Sequence, residues 1–103
     1  MAVLAKIRAL GNETRFEIVR LVHDREMDAG TVARHFKMTR PAVSQHLSVL
    51  REAGLVDERR AGSKRLYVVR AEAFDELVEF IEGFWVSRLR RLKQAAERVK
   101  AKK

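Results

Sequence analysis

One run of twelve residues limits this chain's folding options more than any other: Thr39 to Leu50, reading Thr-Arg-Pro-Ala-Val-Ser-Gln-His-Leu-Ser-Val-Leu. Thr39 is a residue type that caps helix starts, and Pro41 falls in a first turn, where its missing N–H costs nothing. Val43, Leu47 and Leu50 recur at helical spacing and should bury one stripe against a scaffold. Arg40, Ser44, Gln45 and Ser48 fall elsewhere on the wheel. Such side chains donate to phosphates and to base edges in a DNA major groove. The run therefore predicts a helix that packs one face and offers the other to DNA.

The expected scaffold lies just upstream. Asp28 can cap a short helix running to about Phe36, with Val32, Ala33 and Phe36 facing inward. Lys37 and Met38 make a tight connection into Thr39. Helix, short turn, helix is a helix-turn-helix, placed here at about residues 28–53, in which the second helix enters the groove. Two packed helices of a small bundle would give the same pattern, and the residues that follow weigh against that. Gly54 suits the left-handed turn after a helix end. Leu55 to Arg60 reads as a strand, Ala61-Gly62-Ser63-Lys64 as a turn and Arg65 to Val69 as a returning strand. A hairpin directly after such a helix makes a wing, at about residues 55–70. Arg59, Arg60, Lys64 and Arg65 cluster at its tip.

These residues resemble a known family. Leu10-Gly11-Asn12-Glu13-Thr14-Arg15, followed by Phe16-Glu17-Ile18-Val19-Arg20-Leu21-Val22, is similar to the opening of the ArsR family of bacterial winged-helix repressors. Pro41-Ala42-Val43-Ser44-Gln45-His46-Leu47 and Leu50-Arg51-Glu52-Ala53-Gly54-Leu55-Val56 resemble that family's recognition helix and its exit into the wing. The resemblance implies a mainly α fold with a two-stranded β-wing and a long C-terminal helix. It also implies a homodimer that binds operator DNA and represses transcription. By position, the family's base-contacting residues match Arg40, Ser44 and Gln45, and its wing contacts match Lys64 and Arg65.

The family's metal-sensing pattern is missing. The chain has no cysteine, and no His follows His46, so neither a thiolate site nor an Asp/His site on the last helix can be assembled. His23, His35 and His46 sit on different expected elements without a carboxylate at a matching offset. Neither metal nor other cofactor is expected. Enzyme chemistry has no foothold either: there is no glycine-rich phosphate loop, and Ser44 and His46, two apart on a helix, point in different directions.

Charge agrees with a polyanionic partner. The 103 residues carry a formal net charge of +8. From Arg34 to Arg70 nine Lys or Arg oppose Glu52, Asp57 and Glu58, and from Val86 onward eight oppose Glu97 alone. Lys37, Arg51, Arg60, Lys64 and Arg65, with the hydroxyls of Thr39, Ser44 and Ser48, are the expected phosphate contacts. Arg40 and Gln45 are the expected base readers, Arg towards guanine and Gln towards adenine. A winged helix can instead serve protein or RNA partners. A strongly basic wing favours nucleic acid, and double-stranded DNA is the expected partner. The length fits one domain spanning residues 1–103. The absence of cysteine, of a signal peptide and of a run of about 20 apolar residues predicts a cytoplasmic protein without a membrane anchor.

Ala71 to about Lys100 reads as one long helix, acidic at its start and basic at its end, as the helix dipole favours. Phe74, Val78, Ile81, Trp85, Leu89 and Leu92 recur along it at steps of three or four, with Leu77, Phe80 and Phe84 widening the stripe. A helix of that length, about 45 Å, exceeds the small domain beneath it. With Val3, Leu4 and Ile7 of an N-terminal helix over residues 2–10, the stripe is expected to form a two-fold interface. An aromatic ligand pocket around Phe84 and Trp85 is the competing reading.

Overall fold

Three helices begin at a side chain that takes over a free backbone N–H, as helix starts require. The computed structural model describes residues 2–101. In it Asn12, Asp28 and Thr39 accept from the N–H of Arg15, Thr31 and Ala42 at 3.0, 2.9 and 3.3 Å. Four helices, α1 (Ala2–Leu10), α2 (Glu13–Asp24), α3 (Ala29–Phe36) and α4 (Arg40–Glu52), precede an antiparallel hairpin of β1 (Val56–Ala61) and β2 (Lys64–Val69). Then come α5 (Ala71–Phe80), a π turn (Ile81–Trp85) and α6 (Val86–Ala101).

The helical periods read from the sequence converge on one core. Ile18 and Val22 of α2, Val32 of α3, and Val43, Leu47 and Leu50 of α4 are at most 2% exposed. Each such burial contributes about 1.5–3 kcal/mol. Leu55 and Val56 complete the cluster. Leu55 belongs to the exit turn rather than to the strand, because its N–H returns to the Leu50 carbonyl at 3.0 Å while Gly54 takes φ 81°.

The hairpin pairs Val56 with Val69 and runs out to Ala61 opposite Lys64. Gly62, at φ 65°, supplies the positive dihedral that a two-residue reversal needs at its first position. The other edge of β2 is tied to the body: Tyr67 N–H donates to the Met27 carbonyl at 3.0 Å, just before α3. The wing is thus held between α4 on one side and the entry to α3 on the other.

The C-terminal helix differs from the expected unbroken one. Val86 N–H bonds to the Ile81 carbonyl, five residues back, which widens one turn. Gly83, the poorest helix former in the segment, lies inside that turn. Two residues expected at the outer seam turn inward instead. Leu77, at 6% exposure, and Val3, at 5%, pack into the subunit's own core. The reason is that α1 and α5 cover one another, with Lys6 and Glu76 paired at 3.5 Å. Beyond the π turn α6 runs clear of the body, and the principal extents are 64 × 27 × 22 Å.

Candidate nucleic-acid interface

With Val43, Leu47 and Leu50 fully buried, α4 can only turn Arg40, Ser44, Gln45 and Ser48 outward, and all four are exposed. Arg40 and Ser44 share a depression of ≈ 360 Å³ with Asp28, Lys64, Arg65 and Tyr67. One hollow therefore brings together the start of α3, the start of α4 and the wing tip. Gln45 and Ser48 lie on the open side of α4 outside it. Thr39 spends its oxygen on the Ala42 N–H, so its hydroxyl is left to act as a donor. Lys37 occupies the α3–α4 turn in a left-handed conformation, φ 56°, that non-glycine residues rarely adopt.

A second, adjoining depression of ≈ 320 Å³ lies between the end of α4 and the wing, bordered by Arg51, Glu58, Arg59, Arg60 and Arg65. Arg65 borders both. Here the structure departs from a surface of free cations. Glu58, opposite Tyr67 in the hairpin, accepts from Arg51 Nη1 and from the Tyr67 hydroxyl, each at 3.1 Å, and lies 3.9 Å from Arg65 Nη1. Two of the expected phosphate ligands are thus already facing a carboxylate. Arg59, on the opposite strand face, donates to Glu26 at 2.6 Å and fastens the wing to the segment before α3. Arg40, Lys37, Arg60 and Lys64 enter no ion pair among the described residues.

Two titrations are shaped by this packing. Burial first, then the bond to Glu58, pushes the Tyr67 phenol up, so it remains a neutral donor. Asp28 is held below the usual carboxylate range by the hydroxyl and N–H of Thr31, with Lys64 and Arg34 adding to the effect. It places a fixed negative charge at the rim of the basic hollow.

Sequence reasoning missed Asp28, Glu58 and Tyr67 as members of this surface. For Glu58 the signal was available: strand alternation puts Val56, Glu58 and Arg60 on one face, towards α4. The hollow sets the exposed face of α4 beside a basic hairpin, side chains of the kind that donate to nucleic-acid bases and phosphates.

The expected seam residues are placed as follows. Leu4 is 37% exposed, Ile7 and Phe74 are half-buried, and Val78, Ile81, Trp85, Leu89 and Leu92 range from 40% to 67%. Phe84 and Trp85 form an aromatic ladder with Phe80, ring centroids 5.2 Å apart, along the outside of the helix. A cavity of ≈ 710 Å³ lies elsewhere, between α2, β2 and α5, and is bordered by Phe16, Val19, Val68 and Phe74. Among the described residues no three His, Asp or Glu side chains gather as a metal would need, and no helix is long and apolar enough to cross a membrane. Lys102 and Lys103, the last of the basic tail, lie outside the described residues.

Residues 12–58, from the Asn12 cap to Glu58, match the family model described as bacterial regulatory protein, arsR family. The HTH-type transcriptional regulator Rv2034 of Mycobacterium tuberculosis is 38% identical over 82 residues, covering 80% of this chain and 77% of that protein. An ArsR-like transcriptional regulator from Rhodococcus sp. RHA1 has a similar solved structure, with a TM-score of 0.76 and 26% identity over 92% of each chain. So does the homodimeric winged helix-turn-helix DNA-binding domain Mb0332 of Mycobacterium bovis, with a TM-score of 0.68 and 25% identity over 82% of each.

Proposed function

Since the chain belongs to the ArsR family of bacterial regulatory proteins, we propose that it is a sequence-specific, dimeric DNA-binding regulator that represses transcription by occupying an inverted-repeat operator in the cytoplasm. The observation that carries this reading is the single hollow formed by Arg40 and Ser44 of α4 with Lys64 and Arg65 of the wing. Helix and wing can engage one stretch of duplex together. A homodimer is supported by the homodimeric Mycobacterium bovis relative and by the uncovered apolar row from Val78 to Leu92. A two-fold pair sets two copies of α4 on one side of the duplex, with half-sites about 34 Å, or a multiple of it, apart.

Within this reading Arg40 and Gln45 read base edges and Ser44 and Ser48 assist from the same face. Lys37, Thr39, Arg60 and Lys64 hold phosphates, joined by Arg51 and Arg65 once phosphate competes with Glu58. The test is a titration with an operator duplex recovered from genomic fragments, its scrambled counterpart and a hairpin RNA. The duplex operator should bind most tightly. Gln45→Ala and Arg40→Ala should each lose about 1–3 kcal/mol of discrimination at one position per half-site. Lys64→Ala should weaken all duplexes alike and lower the salt slope by about 1. An unchanged preference in Arg40→Ala and Gln45→Ala, or tighter binding to the hairpin RNA, would overturn the proposal.

A further inference from the structure

We propose that the cavity between α2, β2 and α5 is an effector site for a small molecule joining an aromatic ring to a protonated amine, and that its occupant loosens the wing. The site stands on its own geometry; its effect on DNA rests on the regulator reading above.

At ≈ 710 Å³ the cavity has the volume of a small-molecule site. Its walls are apolar and come from three elements, with Phe16 and Val19 from α2, Val68 from β2 and Phe74 from α5. Phe16 is 47% exposed and Phe74 is half-buried, so both keep ring surface that the subunit leaves accessible to an aromatic guest.

The rim selects the charge of that guest. In a chain of net charge +8 it carries three acids, Asp24, Glu26 and Asp75, and among the described residues a single Lys or Arg, Arg20. Arg20 is already paired with Glu17 at 3.3 Å. Asp24 faces only His23, at 3.5 Å, and Asp75 enters no ion pair among the described residues. An ammonium entering here meets carboxylates with charge to spare and aromatic faces that also favour a cation. A carboxylate or phosphate meets like charge.

One wall of the cavity is the wing itself. Val68 borders the cavity, while its neighbour Tyr67, on the opposite face of β2, borders the α4 hollow. Glu26 sits on the cavity rim and also accepts from Arg59 Nε at 2.6 Å, the bond that fastens the hairpin to the segment before α3. An amine seated against Glu26 competes with Arg59 for that carboxylate. The occupant thus draws on a contact that holds the wing, and the wing carries Lys64 and Arg65 to the hollow.

Binding is read first without DNA, by amide NMR on the full chain, with two probes of one shape and opposite charge, naphthylmethylamine and naphthylacetate. The amine should shift Val19, Val68 and Phe74 saturably and bind at least about tenfold more tightly than the acid. Asp24→Asn with Asp75→Asn should shrink that preference to about threefold or less. Val68→Trp, which fills the cavity, should abolish binding while leaving the rest of the amide spectrum as in the wild type. A second titration reads the coupling: saturating amine should raise the operator dissociation constant about fivefold or more. Glu26→Gln, whose wing is already loose, should start weaker and respond no further. Absence of amine binding, equal binding of the two probes, shifts confined to Trp85, Leu89 and Leu92 of the α5–α6 arm, or a filled cavity with operator affinity unchanged would each defeat the proposal. A chain that takes the amine at the cavity and binds no duplex would instead remove the regulator reading and leave the site.

Discussion

Helices α4 and α6 carry the same kind of pattern, an aliphatic residue every three or four positions with polar and basic residues between, and meet opposite fates. In α4 the row Val43, Leu47, Leu50 is at 0% exposure, while in α6 Leu89, Leu92 and Val99 are all above half. The pattern specifies that a face must be covered; what covers it depends on where the chain's own body ends. Around α4 four elements converge, α1, α2, α3 and β1, whereas α6 packs chiefly on the π turn before it. One helix is finished within the subunit and the other is left uncovered by it.

The contrast can be broken most forcefully at Leu47. Leu47→Ala leaves a cavity where nothing can collapse and should cost about 3–5 kcal/mol in urea unfolding. Leu92→Ala should leave subunit unfolding at low concentration unchanged and weaken dimerisation by about 2 kcal/mol, read by sedimentation. Equal effects of the two on unfolding would erase the distinction.

Smaller effects sharpen it at the α4 surface. Asp28→Ala removes the α3 cap and should cost about 1 kcal/mol. Because the folded carboxyl titrates below its unfolded value, its contribution is present above about pH 4 and disappears as pH falls through the folded pKa. Asp28→Asn, which keeps an acceptor without the titration, should flatten that acid limb of the stability curve. Smallest in stability terms is Glu58→Gln. Freeing Arg51 and Arg65 from a shared carboxylate should steepen the salt dependence of binding to non-operator DNA by up to about 2 in log–log slope. An unchanged slope would mean that phosphate already displaces Glu58 in the wild type.

The body and the outward face of α4 were legible because short-range rules govern them. Asp28 and Thr39 cap the helices they were expected to cap, and Gly54 takes the turn that only glycine accepts comfortably. What escaped depends on contacts between segments far apart in sequence. Nothing local shows that α1 lies on α5, so Val3 and Leu77 were read as outward when each is enclosed. Arg51 is a nearer case: only seven residues separate it from Glu58, and strand alternation alone would have placed that carboxylate on the face towards α4. The π turn escaped because its cause is a hydrogen-bond choice, and the apolar spacing through Ile81 and Trp85 is the same for both choices.

That widened turn makes the arm tolerant of one particular length change. Five residues there cover the rotation that four cover in an ordinary helix. Excising Gly83 should let regular bonding close the gap, so that Leu89 and Leu92 keep their azimuth and simply slide inward by about 1.5 Å. Excising Gln94 instead has no such slack to draw on, and would swing Val99 round the cylinder by about 100°.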